Sequence, residues 1–223
     1  MFKFGEINKT SDLNGENLLN QDAPVFDAKI SIEDAESFWN QMFFEPRDIS
    51  ITEILNHDES EFSFDIDLSD LNELLNKFDI ENWQELDNNE KVDMVNILVD
   101  RISELLGLKD IPEVVYFQDD PSNMGVYYAS FNMLGVNECL LEDPTELVDT
   151  VAHELRHAYQ HLRAEMPQNY EDLLYKINLA NYISPMFNED GDCLLYTDYA
   201  CQFVEAEARA FARLFTKEEA MWT

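Results

Sequence analysis

His153, Glu154 and His157 are the residues of this 223-residue chain whose types and spacing point first to chemistry; they open and close the run His-Glu-Leu-Arg-His. In a helix, positions i and i+4 lie one turn apart on one face, so two imidazoles there can share a divalent cation at about 2.0–2.1 Å. Glu154, directly after the first histidine, is placed to act as general base on a water that the cation activates. Zinc is the cofactor this donor set implies, and it needs at least one further protein ligand. His161 continues the i+4 series, but two turns from His153 it lies too far along the axis to complete a tetrahedron. It reads as a surface or supporting residue. The metzincin route requires a histidine ten residues after the first, and position 163 is Arg while position 160 is Gln.

A carboxylate is the remaining option. Glu205 and Glu207 stand in the run Gln202–Ala212, with Glu205 separated from His157 by 205 − 157 = 48 positions. Two helical positions differ by about 200° around the axis, so only one of these acids can face the metal. Ala208 and Ala212 share the side of Glu205, and small side chains there allow two helices to approach closely. Glu205 is therefore favoured as the third ligand, with Glu207 as the alternative.

The elements that must position these groups are legible from periodicity and punctuation. Residues 1 to about 30 are rich in Asn, Asp, Gly and Ser and predict an irregular start. A helix is expected from Ser31 to Phe44, ending before Pro46. Loose alternation over 48–68 predicts one or two strands, and 71–78 a short helix. A longer helix over 89–106 carries an apolar stripe of Val92, Val95, Leu98, Val99, Ile102, Leu105 and Leu106, with Gly107 as its stop. Strands follow at 114–118, 126–131 and 136–141. Asp143 and Pro144 then open the helix of the His-Glu motif, expected to run to about Ala164 with Leu147, Val148, Val151, Leu155, Ala158, Tyr159 and Leu162 as its apolar face. Helices near 170–182 and 198–215 complete the chain. Residues 1–88 form an amino-terminal extension, wrapper or accessory segment, and 89–223 the core; the aromatic residues Phe26, Phe38, Trp39, Phe43 and Phe44 suggest that the extension is buried against something.

Composition narrows the partners. The chain has 47 acidic and 14 basic residues, a net charge of −33. A field of that sign repels nucleic acid and anionic membranes, and keeps the molecule soluble. Cys139, Cys193 and Cys201 are odd in number and scattered, with no Cys-x-x-Cys pair, which argues against a disulfide framework or a cysteine-type zinc ribbon. No run has the length and apolar character of a signal peptide or a membrane span, so the expected location is the cytoplasm.

The order of helix, three strands, His-Glu-x-x-His helix and Glu-x-Glu-Ala-x-x-Phe-Ala helix resembles the compact gluzincin metallopeptidases. The run Val151–Gln160 is especially like their active-site helix, and the last helix is similar to that of ImmA/IrrE-type and HtpX-like peptidases. The resemblance covers about residues 89–215. It implies an α+β, zincin-like core of helices on a small mixed sheet, with Glu205, the first Glu of its run, as third zinc ligand beside His153 and His157, and with Glu154 as the catalytic base. It implies a hydrolase acting on a peptide or protein substrate, held along an edge strand at about Leu134–Cys139. One position departs from the pattern: many gluzincins carry an acid or Asn four residues beyond the ligand Glu, orienting a zinc-binding histidine, and this chain has Arg209, which cannot accept a hydrogen bond. No electrophile is assigned by the motif, and Tyr182, Tyr196 and Tyr199 are candidates by type. A different class of function on the same fold is a non-catalytic zinc-binding sensor or interaction module.

Overall fold

The structure, a computed structural model, describes residues 50–118, 122–187, 193–194 and 196–216, all within a compact unit spanning Gln41–Thr223. The expectations for residues 1–49, including the helix at 31–44, lie outside the described residues. The described part is α+β: helices packed on a three-stranded sheet, with a separate two-stranded ribbon.

Residues 50–68 form no strand. They make two single-turn 3-10 segments, Ile51–Ile54 and Glu59–Glu61, each opened by a capping box, from Ser50 to Glu53 and from Asp58 to Glu61. The loose alternation read as strands instead follows which side chains turn inward. Ile54 enters a cluster with Leu173, Leu174, Tyr175, Phe203 and Val204, and Phe64 packs edge-on against Phe211. A broken helical stretch follows, comprising a 3-10 turn at Ser69–Leu71, α1 (Asn72–Leu75) and a second 3-10 turn at Asn76–Phe78. α2 (Ile80–Trp83) has no counterpart in the periodicity. Trp83 stacks on Phe78 and donates its indole N–H to the Leu141 carbonyl at 2.8 Å.

α3 (Asn88–Leu106) is the helix expected from the stripe. Asp87 accepts hydrogen bonds from the amides of Asn89 and Glu90, while the Glu90 side chain returns to the amide of Asp87. Gly107, at φ +69°, ends the helix in the left-handed conformation that favours glycine. Val95, Leu98, Val99 and Ile102 are buried in the main core.

Next come β1 (Glu113–Phe117), β2 (Gly125–Tyr128) and β3 (Met133–Asn137). β3 lies in the middle, parallel to β1 and antiparallel to β2. The third strand begins three residues earlier than the pattern suggests, because Phe131 and Asn132 close a tight turn in which Asn132 takes φ +49°. Residues 138–141, expected as the end of that strand, lie instead in a 3-10 segment, Glu138–Glu142, capped by Asn137. α4 (Pro144–Glu165) starts at the Asp143 cap as expected. Its buried face runs through Leu147, Val151 and Leu155, but Leu162 is exposed. α5 (Tyr170–Ala180) follows, then the ribbon of β4 (Met186–Phe187) and β5 (Cys193–Leu194).

The last expected helix is two: α6 (Tyr196–Ala200) and α7 (Phe203–Ala212). Gln202 makes the break. Its backbone is extended, and its buried side chain accepts from the Ile183 amide and from Asn178 Nδ2 while donating to the carbonyls of Ile183 and Tyr199. α7 packs along α4, and Ala206, Ala208, Ala210 and Ala212 are all buried on it. Among the described residues no helix is long and apolar enough to cross a membrane.

Candidate metal centre

His153 and His157 stand one turn apart on α4, beside rather than within its core-facing stripe, and their Nε2 atoms are 3.0 Å apart. Across from them the break at Gln202 sets Glu205 in the first turn of α7, where the unpaired amide groups favour negative charge. Its Oε2 lies 3.4 Å from His153 Nε2 and its Oε1 3.4 Å from His157 Nε2. These three side chains are the one group among the described residues with donor atoms mutually close enough to hold a metal ion.

The donor set fits a tetrahedral cation. Ligand atoms about 2.0–2.1 Å from a tetrahedral zinc stand about 3.3 Å from each other, close to the 3.0 and 3.4 Å separations here. Glu205 Oε2 is also fully buried with no hydrogen-bond partner, a costly state for a carboxylate oxygen that a cation would relieve. Burial works against charge on His157, but the Glu205 carboxylate beside it more than offsets this and lifts its pKa to about 9. Burial likewise raises the Glu205 pKa, and the His157 charge, with both imidazoles beside its oxygens, holds it well below the usual carboxylate range.

Glu207, the alternative ligand, points elsewhere. It is fully buried between Arg156, whose Nε donates at 2.8 Å, Tyr175, whose hydroxyl donates at 3.1 Å, and Gln160, whose Nε2 donates at 2.6 Å. The two acids thus face different neighbours, as the 200° separation requires. Arg209 is remote from the imidazoles in its bonding: it donates to Glu59 Oε1 at 2.7 Å and to the Ala200 carbonyl. His157 Nδ1 instead finds its partner on α4 itself, at Gln160 Oε1, 2.8 Å away. His161 is not in the ligand group; it sits beside Tyr127, with ring centroids 5.7 Å apart, and burial followed by the His157 charge lowers its pKa.

A cleft of about 820 Å³ opens over the cluster, and Glu154 lines it together with both histidines and Glu205. One wall is residues 122–127, which lead into and include most of β2. The expected substrate strand at 134–139 is therefore corrected. β3 is the central strand, paired on both sides, whereas β2 is an outer strand and the one that borders the cleft. Gly125 permits this closeness: a Cβ there would overlap Thr150 Cγ2 and press on Glu154 Cγ at 3.1 Å.

Also lining the cleft, Tyr182 donates its hydroxyl to Glu205 Oε1 at 2.6 Å, and Tyr199 packs edge-on against Tyr182. Burial first, then the Glu205 charge, drives both phenols far above the ordinary tyrosine range, so both keep their protons and can act as donors. Tyr196 also lines the cleft but is largely exposed.

The sequence reading gave neither Gln160 nor Gly125 a role at the site. Gln160 carried a usable signal, its i+3 spacing from His157 on the same helical face. Gly125 carried none beyond being the glycine ahead of a strand.

Comparison of the chain with family models, with curated proteins and with solved structures finds no match.

Proposed function

We propose that the protein is a zinc-dependent metallopeptidase on a gluzincin-like core. The observation that carries this reading is the convergence of His153, His157 and Glu205 beside Glu154 in one open cleft. His153 and His157 supply neutral imidazole nitrogens and Glu205 a carboxylate, a set suited to zinc with a position left for substrate. When bound, the cation supplies a Lewis acid that acidifies a water and polarises a carbonyl.

The chain's own groups do the rest. Glu154 takes a proton from the water that attacks the scissile carbonyl, so that a carbon–oxygen bond forms. It then returns that proton to the leaving nitrogen as the carbon–nitrogen bond breaks. A base adds nothing to a metal site that is only structural, and Glu154 therefore favours enzyme over sensor. Tyr182 fixes one oxygen of Glu205 through its hydroxyl. The outer strand β2 offers main-chain groups to an extended peptide laid along the cleft. Arg209, held by Glu59, bears on the packing of residues 58–61 rather than on the histidines, which weakens the case for a non-catalytic variant of the site.

The test is a pair of measurements on the full chain. Purified without added metal, the wild type is expected to carry about one zinc per chain, and His157→Ala to lose it. In a peptide-library digest, Glu154→Gln is expected to retain zinc while its turnover falls by about 10²–10⁴-fold. Cleavage by Glu154→Gln at the wild-type rate would overturn the mechanism, and absence of zinc from the wild type would overturn the metal site.

A further inference from the structure

The orientation of Gln160 is fixed by chemistry. Its nitrogen lies 2.9 Å from the Val204 carbonyl oxygen and 2.6 Å from Glu207 Oε2, and both of those atoms only accept hydrogen bonds. The amide nitrogen must therefore face α7 and the amide oxygen must face His157. That oxygen is also acceptor-only, so the His157 Nδ1 at 2.8 Å must carry a proton. An imidazole with its neutral-state proton on Nδ1 has its lone pair on Nε2, the nitrogen turned towards His153 and Glu205.

Behind Gln160 stands a second tier. Glu207, fully buried, is gripped by Arg156 and Tyr175. Arg156 is caged in turn by the rings of Tyr159, Phe64 and Phe211, at 4.3, 5.0 and 5.1 Å from its guanidinium carbon. With its remaining oxygen and nitrogen partners so held, Gln160 has no second low-energy orientation. A flipped amide would set its nitrogen against His157 and its oxygen against a carboxylate.

We propose that Gln160 is the positioning residue that selects the metal-binding tautomer of His157, and that Glu207 and Arg156 are its anchor. The two acids of the Glu-x-Glu run then divide the work: Glu205 meets the cation, and Glu207 orients the helix that presents the imidazoles. This rests on the reading of His157 as a ligand. It also gives the histidine a hydrogen-bond acceptor at a position on its own helix, where Arg209 supplies none from the facing one.

The experiment compares the full-length wild type with Gln160→Met, which keeps the length of the side chain and removes both polar ends, and with Gln160→Glu. The latter retains an oxygen facing Nδ1, with its other oxygen protonated towards Glu207. Zinc affinity is read by competition with a chelator, and the His157 tautomer by long-range proton–nitrogen correlation in the zinc-loaded protein. Circular dichroism of each metal-free variant checks that it is folded. Loss of an outer hydrogen bond of this kind lowers metal affinity by about 10–100-fold, and that loss is expected for Gln160→Met, with Gln160→Glu restoring most of it. The wild type is expected to show a proton on Nδ1. Equal affinities for wild type and Gln160→Met, or an unprotonated Nδ1 in the wild type, would overturn the positioning role while leaving the metal site intact. A wild type that binds no zinc would overturn both.

Discussion

In the proposed metal centre a proton and a divalent cation would compete for one lone pair on His157. In the metal-free protein the neighbouring carboxylate holds that histidine protonated up to about pH 9. The sign of the consequence follows. A pKa raised by folding stabilises the fold fully below the ordinary histidine value of about 6.5, and that contribution disappears as pH rises through about 9. Metal binding runs the other way, since the cation must displace the proton. Apparent zinc affinity is thus expected to climb about tenfold per pH unit towards pH 9 and then level, as read by chelator competition across that range. In the metal-free state, the stability gap between wild type and His157→Gln is expected to shrink over the same window, as measured by urea denaturation. The residues that converge at the candidate centre were largely legible in the sequence. The i, i+4 pair and its intervening acid are written in one helix, where spacing alone fixes the geometry, and Ala208 and Ala212 pointed to Glu205. What spacing could not reveal was the use of Glu207 and Gln160. That depends on the distance between α4 and α7, a property of packing and not of either helix alone.

At the level of elements, closeness between β2 and α4 decides how the cleft is walled. Gly125→Ala adds a methyl group that must push against Thr150 and Glu154. Overpacking of this kind costs about 1–3 kcal/mol, and chemical denaturation is expected to show a loss in that range. Thr150→Ser removes the methyl that the new Cβ meets, so the double variant is expected to recover part of the loss, and additive losses would contradict the contact. The helices with strong caps and stripes, α3 and α4, were readable because their signals are local. The errors cluster where tertiary contacts overrule the local pattern. Alternation over 50–68 reflects inward-turned Ile54 and Phe64 rather than strand pairing. The single last helix divides at Gln202 because three hydrogen bonds to Asn178 and Ile183, with a fourth to the nearby Tyr199 carbonyl, hold that residue extended, and no propensity encodes the distant partners. The edge strand was misplaced for a related reason: strand order is a property of the sheet, and chain order put β3 nearest to α4 in sequence but in the middle of the sheet in space.

For the molecule as a whole, the charge of −33 sets the background for every local interaction. Few cations are available to neutralise it, and several are already committed. Arg209 and Arg213 both pair with Glu59, at 2.7 and 2.5 Å, and Arg163 clasps Asp172 through two hydrogen bonds. The surplus carboxylates repel one another, and salt screens that repulsion over a Debye length that shrinks from about 30 Å at 0.01 M to about 3 Å at 1 M. The melting temperature is therefore expected to rise with sodium chloride over this range, in contrast to a protein held by surface ion pairs. A fall on adding salt would show that pairs such as Glu59 with Arg209 outweigh the general repulsion. The 50–66 segment would then be the first to loosen, since it is tied to α7 through Glu59 and to the turn just before α7 through the backbone bond from His57 to Cys201.

The gap of 48 positions between His157 and Glu205 has a mechanical meaning. An ion gripped by both ends of that interval is a removable rivet, fastening α4 to α7 around everything between them. Its effect falls mainly on the uncoiled chain, whose freedom to wander it curtails, and closing so long a loop restricts that freedom more than closing a short one. Scarcity or plenty of the ion in the surroundings would then govern how firmly the carboxyl-terminal third stays folded, independently of any reaction the cleft performs.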